Sequence, residues 1–215
     1  MKILAIESST HLGSIAITDG EKTLAERPVT KNAEELVPSF EEILKKTATS
    51  KNEIRGVAVS SGPGFFTSLK VGAAAAKSFA YALKIPIAPV PSLDILAASA
   101  KFEPGTTVCA AINARSGLFF WAVFREENGG FTRLCPDSVT TPDEMRKHLA
   151  EMDAGSVQGV LQEDGSGGAD EIADFTIVSS KASVCASLGL RLMEEGKTET
   201  AFSFSPNYVR ENLYS

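Results

Sequence analysis

The stretch KILAIESSTHLGSIAITDG, Lys2 to Gly20, sets two β-branched-rich runs, Lys2–Ile6 and Gly13–Asp19, on either side of the polar turn ESSTHL. A third strand-like run, TLAERPV, follows Asp19-Gly20. Asp-Gly between strand patterns is a strong hairpin signal, because both residues tolerate positive φ. Downstream, Ala33, Leu36, Val37, Phe40, Ile43, Leu44 and Ala48 fall at steps of three and four, the face of an amphipathic helix. Glu34 and Glu35 early and Lys45 and Lys46 late suit its dipole, while Pro38 predicts a kink or a restart. IRGVAVS, Ile54 to Ser60, reads as a buried strand, and SGPGFFTS turns into a helix over Leu69 to Lys84 with Thr67 or Ser68 as its cap. The first hundred residues thus read β-β-β-α-β-α.

Past residue 104 the order repeats. TTVCAAI, the turn NARSG, GLFFWAVFR, a Gly129-Gly130 turn and FTRL precede a helix opened by Thr141 and Pro142. VQGVLQ, a glycine-rich loop around Gly165 to Gly168, FTIVS and a helix near Ala182 to Glu195 complete it. The repeat lies in element order and not in residue identity. It predicts two related lobes.

Composition limits what such a chain does. Its 215 residues carry 21 Lys+Arg against 27 Asp+Glu, a net charge of −6, which disfavours a protein binding nucleic acid on its own. With 43% hydrophobic and 22% charged residues it is an ordinary globular chain. Cys109, Cys135 and Cys185 are odd in number and show no CxxC spacing, so a reducing, cytoplasmic setting fits and no disulfide framework is expected. The first residues lack the apolar core of a signal peptide, and Val71 to Ala100 is broken by Lys77, Lys84 and three prolines, so no membrane span is expected.

The sharpest motif is SSGPGFFTSLKVG, Ser60 to Gly72, a strand-to-helix turn in which Gly62-Pro63-Gly64 suits a tight bend. It lacks the lysine spacing of a Walker A loop, and as a single glycine-rich turn it equally suits close helix packing. The turn Glu7 to Ser14 and its counterpart Asn113 to Gly117 form a pair of strand-turn-strand loops, the arrangement by which actin-like ATPases grip phosphates. Glu7, Ser8, Ser9, Thr10 and Gly13 in the first, with Asn113, Arg115 and Gly117 in the second, are degenerate phosphate-loop positions. The first acid is a glutamate, and the second loop has no acid and one glycine. His11 and His148 stand far apart in no metal-binding spacing, so no metal and no catalytic residue is expected. The helices over residues 33 to 48 and 67 to 84 are rich in apolar and small positions, suiting either internal packing or a second chain.

With these residues in view, the chain resembles the TsaB family. The likeness rests on ILAIESST with GSIAI, SGPGFFTSLKVG, IPIAPVPSLDILA (Ile85 to Ala97), NARSGLFFWAVF (Asn113 to Phe124) and PNYVR (Pro206 to Arg210). The resemblance implies an α/β, two-lobed actin-like (ribonuclease H-like) fold, each lobe a mixed sheet of order β-β-β-α-β-α with flanking helices. The lobes would be 1–103 and 104–215, the last helix packing back on the first. It further implies a non-catalytic scaffold or activating subunit of the bacterial complex that transfers threonylcarbamoyl to the adenosine next to the anticodon of tRNA. The partners would be a larger catalytic paralogue, TsaD-like, and a small ATPase, TsaE-like, with ATP and magnesium belonging to them and tRNA met only through the complex. Docking is assigned to the first-lobe helices, with Leu36, Phe40, Leu69, Ala73, Ala76 and Phe79 as that face or the core under it; the free chain would pair as a homodimer. Family members usually carry aspartate at the positions of Glu7 and Asn113, histidine at Asn32, glycine at Ser68 and an acid near Leu118, where Leu118 and Phe119 add apolar surface. Two rivals remain. One is a stand-alone actin-like ATP-dependent kinase or transferase with Ser8, Ser9, Thr10 and Gly13 on the phosphates; the other is a glycoprotein endopeptidase, for which no nucleophile or metal site is evident.

Overall fold

The computed structural model describes residues 1–30, 32–127, 129–152, 156–163 and 175–208. The glycine-rich segment Gly165 to Gly168 and the end of the PNYVR motif lie outside them. The chain builds two mixed sheets. The first holds β1 (Lys2–Glu7), β2 (Gly13–Asp19), β3 (Lys22–Val29), β4 (Ile54–Ser60) and β5 (Ile87–Val90) in the order β3-β2-β1-β4-β5. Strands β1 to β3 are an antiparallel meander whose Asp19-Gly20 turn takes Gly20 to φ 57, as the dipeptide predicts. Strands β4 and β5 run parallel to β1.

The faces of this sheet differ in side-chain size. On one, Leu4, Ile6, Ile15, Ile17, Val57, Val59 and Ile87 pack under α1 (Asn32–Lys46) and α2 (Phe66–Leu83). On the other, Ala16, Ala5, Ala58 and Ala88 stand in register across four adjacent strands, each with 0% exposure. The helix α5 (Ala182–Glu194) lies over that row with Ala182, Cys185, Ala186 and Leu190. A Cβ added at Gly189 would stand 2.4 Å from the Ala58 Cβ, so helix and sheet touch almost backbone to backbone.

The second sheet holds β6 (Thr107–Arg115), β7 (Leu118–Glu127), β8 (Gly130–Arg133), β10 (Val157–Gln162) and β11 (Thr176–Val178) in the order β11-β10-β6-β7-β8, with β9 (Ser138–Thr140) pairing a different stretch of β7. Helix α3 (Ser92–Ser99) covers one face through Leu93, Leu96 and Ala97. Helix α4 (Pro142–Glu151) covers the other by burying Met145 among Cys109, Ala111, Phe119 and Trp121. It opens with the capping box of Thr141 and Glu144 and with Pro142 in its first turn, as its sequence predicts. The helices are exchanged: α3, from the first half, packs on the second sheet, and α5, from the second half, packs on the first.

Several expectations are corrected. Helix α2 starts at Phe66 with Phe65 as its N-cap and no side-chain cap, so Thr67 and Ser68 sit inside the first turn. The Phe65 amide donates to the Ser9 carbonyl at 2.7 Å, and this tertiary bond fixes where the helix begins. Helix α1 spans Asn32–Lys46 with Pro38 inside it on the exposed side, so the helix does not restart there. Phe119 is 1% exposed and belongs to the core, not to apolar surface, and Leu118 is half-buried against α3's cluster. Strands β5 and β9 and helix α3 are additional to the elements that the sequence pattern predicts.

The tight α5 seam gives a direct test. Gly189→Val drives a branched side chain into Ala58 and Ala88, and overpacking of this kind costs about 1–3 kcal/mol. Urea unfolding is expected to show that loss; a midpoint equal to wild type would mean that the seam is not close-packed.

Candidate functional site

The β1–β2 turn, the Gly62-Pro63-Gly64 loop, the β6–β7 turn and the N-terminus of α5 converge where the two sheets meet. In the first turn the polar groups point inward. Glu7, Ser8, Ser9 and Thr10 are each 0% exposed. The Ser9 amide donates to Glu7 Oε1 at 2.9 Å and the Ser9 hydroxyl to the same oxygen, while the Ser8 amide donates to Ser60 Oγ at 2.9 Å. The Gly62-Pro63-Gly64 loop closes over them, since a Cβ at Gly64 would stand 2.3 Å from the Ser9 carbonyl oxygen. A Cβ at Gly72 would stand 1.9 Å from Ser8 Oγ, so this glycine lets α2 approach the turn.

The second turn reaches across to the first. Arg115, Ser116 and Gly117 take φ values of 69, 58 and 72, and Asn113 Oδ1 accepts from the Arg115 amide at 2.8 Å. This curl sends the Arg115 guanidinium over the Phe65 ring, 4.5 Å from its centroid. His11 packs on the same ring at 4.7 Å, and Arg115 Nη2 donates to His11 Nε2 at 3.4 Å. Arg115, Phe65 and His11 thus clasp the two turns together. Gly13 is buried as the first residue of β2.

Next to this clasp is a cavity of about 310 Å³ whose lining includes Gly13, Ser14, Glu26, Glu163, Ser180 and Lys181. Helix α5 begins here without a local side-chain cap. Its amides are capped from the first sheet instead. The Ala182 amide donates to Ser14 Oγ at 2.8 Å, and the Ser183 amide and hydroxyl donate to the Glu26 carboxylate at 3.1 and 2.7 Å. A carboxylate at a helix N-terminus also meets the positive end of the dipole, and such a cap is worth about 0.5–2 kcal/mol. Ser14 and Glu26 are absent from the sequence-derived site; the readable signal was a helix start lacking any Ser, Thr, Asp or Asn at its cap.

Burial raises the Glu7 carboxyl above its ordinary 4.5, opposed by the Ser9 hydroxyl and amide, the Ser60 hydroxyl and the Ser8 amide. The Cys185 thiol is pushed well above its ordinary value by burial, with Glu7 and Glu26 adding to it, which makes it an inert thiol. Among the described residues no three His, Cys, Asp or Glu side chains are grouped to hold a metal ion, and no helix is long and apolar enough to cross a membrane.

Of the two readings of the helical positions, docking face or core under it, the burial fits the second. Leu36, Phe40, Leu69, Ala73 and Ala76 are at most 5% exposed and form the core beneath α1 and α2, and Phe79 is half-buried against Phe40 at 4.5 Å between ring centroids. They are not an outward face, because the sheet beneath them takes the apolar stripe of both helices. The outward positions include Val37 on α1, among the exposed Glu34, Pro38, Glu41, Glu42, Lys45 and Lys46, and Phe66, Lys70, Ala74, Ser78 and Tyr81 on α2.

The raised Glu7 value fixes a sign. The folded chain holds this proton more tightly than the unfolded chain, so the stability that Glu7 contributes is full below its ordinary value and is lost as pH rises through the raised one. Glu7→Gln keeps the acceptor for Ser9 and removes the titration. The variant is expected to gain on wild type in unfolding free energy as pH rises above the ordinary carboxyl value of 4.5, and a pH-independent difference would show that Glu7 does not titrate over the range measured.

Comparison with known proteins is consistent with this architecture. The family model for TsaD, tRNA N6-adenosine threonylcarbamoyltransferase, matches residues 28–213. The chain is 26% identical to the tRNA threonylcarbamoyladenosine biosynthesis protein TsaB of Escherichia coli, over 99% of this chain and 96% of that protein. Against the TsaB of Buchnera aphidicola subsp. Acyrthosiphon pisum it is 37% identical over 57% of each. The fold matches YeaZ from Pseudomonas aeruginosa with a TM-score of 0.82 at 23% identity, covering 96% of this chain and 99% of that one. An actin-like, ribonuclease H-like fold, a match to the transferase model over most of its length and likeness to TsaB from end to end place the chain in the TsaD family of tRNA N6-adenosine threonylcarbamoyltransferases as a TsaB-type member.

Proposed function

We propose that this chain is the non-catalytic partner subunit of a tRNA threonylcarbamoyl-transfer complex, working in the cytoplasm beside a larger TsaD-type paralogue and a small TsaE-type ATPase. The observation that carries this reading is the capping of α5 by Ser14 and Glu26. A nucleotide phosphate in a cleft of this kind needs free amides and a positive field. Here the Ser8, Ser9, Ala182 and Ser183 amides already donate within the chain, and two carboxylates, Glu26 and Glu163, line the adjoining cavity. These groups do not fit a triphosphate, and ATP with its magnesium is assigned to the partners. Contact with tRNA is likewise assigned to the assembly, since the net charge of −6 disfavours binding phosphates alone.

The docking surface belongs to the outward sides of α1 and α2. Val37 is 56% and Tyr81 67% exposed, and Tyr81 meets Phe202, itself 83% exposed, edge to face at 5.7 Å. Apolar side chains held together in the open mark an association surface. Ala74 and Ser78 between them are small enough for a partner helix to approach closely. The transferase model matched by the chain supports a paralogue as the occupant, and the same surface is the one assigned to a homodimer of the free chain in this reading.

Two measurements test the reading. Ala74→Glu, at an exposed position, is expected to abolish co-purification with the TsaD-type paralogue while changing unfolding free energy by no more than about 0.5 kcal/mol; undiminished co-purification moves the interface elsewhere. Calorimetric titration of the isolated chain with ATP and magnesium is expected to give no saturable heat. Micromolar binding lost on Ser9→Ala would favour the stand-alone kinase or transferase instead.

A further inference from the structure

A second cavity, of about 550 Å³, lies along the flank of α5 that faces α3 and the end of β7. Its size is that of a small-molecule site, and the clasped turns take no part in it. Its chemistry is sorted by position. Glu126 lines it and is 5% exposed. One carboxyl oxygen, Oε1, accepts from the Gly129 amide at 2.7 Å, and the other, Oε2, is enclosed with no hydrogen-bond partner among the described residues. The Glu126 backbone is fully paired, its amide with the Thr106 carbonyl and its carbonyl with the Gly105 amide, so the spare capacity lies in the side chain alone. A buried acceptor left unmet is costly and calls for a donor. Asp94, the other acid of the lining, is already held by Arg133.

The opposite charge stands at the rim. Arg191 and Lys101 are exposed, line the same cavity and have no ion-pair partner among the described residues. Phe102 and Phe131 of the lining meet edge to face at 6.1 Å and form an apolar wall, and Ser183 and Ser187 line the cavity from α5. The complement of these groups carries an ammonium for Glu126, a carboxylate for the guanidinium of Arg191, and an apolar body for the phenylalanine wall. We propose that this cavity binds a small zwitterion, an α-amino acid with an apolar or aromatic side chain. The proposal is independent of the docking surface and of the function assigned above.

The full-length chain titrated with L-phenylalanine and L-leucine, read by saturation-transfer NMR and calorimetry, tests it. Saturable binding is expected, with phenethylamine, which lacks the carboxylate, and 3-phenylpropionate, which lacks the amine, each weaker by about tenfold or more. Glu126→Gln and Arg191→Met are each expected to weaken phenylalanine binding by about tenfold. Arg191 is exposed, so its variant folds and decides the matter should the Glu126 variant not. Absence of saturation by either amino acid up to about 10 mM overturns the proposal, since weaker binding lies beyond any specific site of this size. Phenylpropionate binding as tightly as phenylalanine also overturns it, in favour of a simple anion site, as does undiminished binding by Arg191→Met.

Discussion

The contact on which the molecule depends is the one between α5 and the row of alanines that crosses four strands of the first sheet. A helix comes this close to a sheet only where both surfaces are made of small side chains, and Gly189 over Ala58 is the closest point. Close-packed surfaces of small residues leave little room to relax, so their position is sharply fixed. Because α5 belongs to the second half of the chain and α3 to the first, the exchange of the two helices ties the sheets to each other by packing as well as by the chain that joins them.

From that docking the character of the cleft follows. Once α5 is seated, its N-terminus points at the start of β2, and its orphan amides need acceptors where water is scarce. Ser14 and Glu26 supply them from more than 150 residues away in sequence. The same bonds that hold the helix spend the donors with which a phosphate would be held, so seating α5 and closing the cleft to anions are one structural event. The clasp of Arg115, Phe65 and His11 acts in the same direction from the other side, bringing the two turns into contact.

How much of this was legible in the chain depended on the range of the interaction. The Asp19-Gly20 hairpin and the Thr141 capping box are set by residues a few positions apart, and each stands where its pattern puts it; the stripe of α1 does so at Leu36, Phe40, Ile43 and Leu44, while Val37 is exposed and Ala48 lies past the end of the helix. The alternation large-Ala-large recurs in LAI, IAI and VAV, and only alignment of the strands turns those alanines into one row. Pro38 stands inside one continuous helical span, so of the kink or restart that its residue type predicts the restart does not occur. Leu36, Phe40, Leu69, Ala73 and Ala76 carry the right period but not its direction, since periodicity defines a face without saying whether sheet or partner covers it.

The sequence by itself determined that two similar sets of strands and helices form, because strand and helix periods and turn chemistry act locally. It also carried the motifs that relate the chain to its family. Only the tertiary structure decided that the first phosphate-like turn is sealed, that Glu26 and not a neighbour caps α5, and that Glu126 lines a cavity with one enclosed carboxyl oxygen unpaired among the described residues. Those outcomes turn on which distant groups share a few ångströms of space, and hydrogen bonding and burial act on that distance, not on separation along the chain.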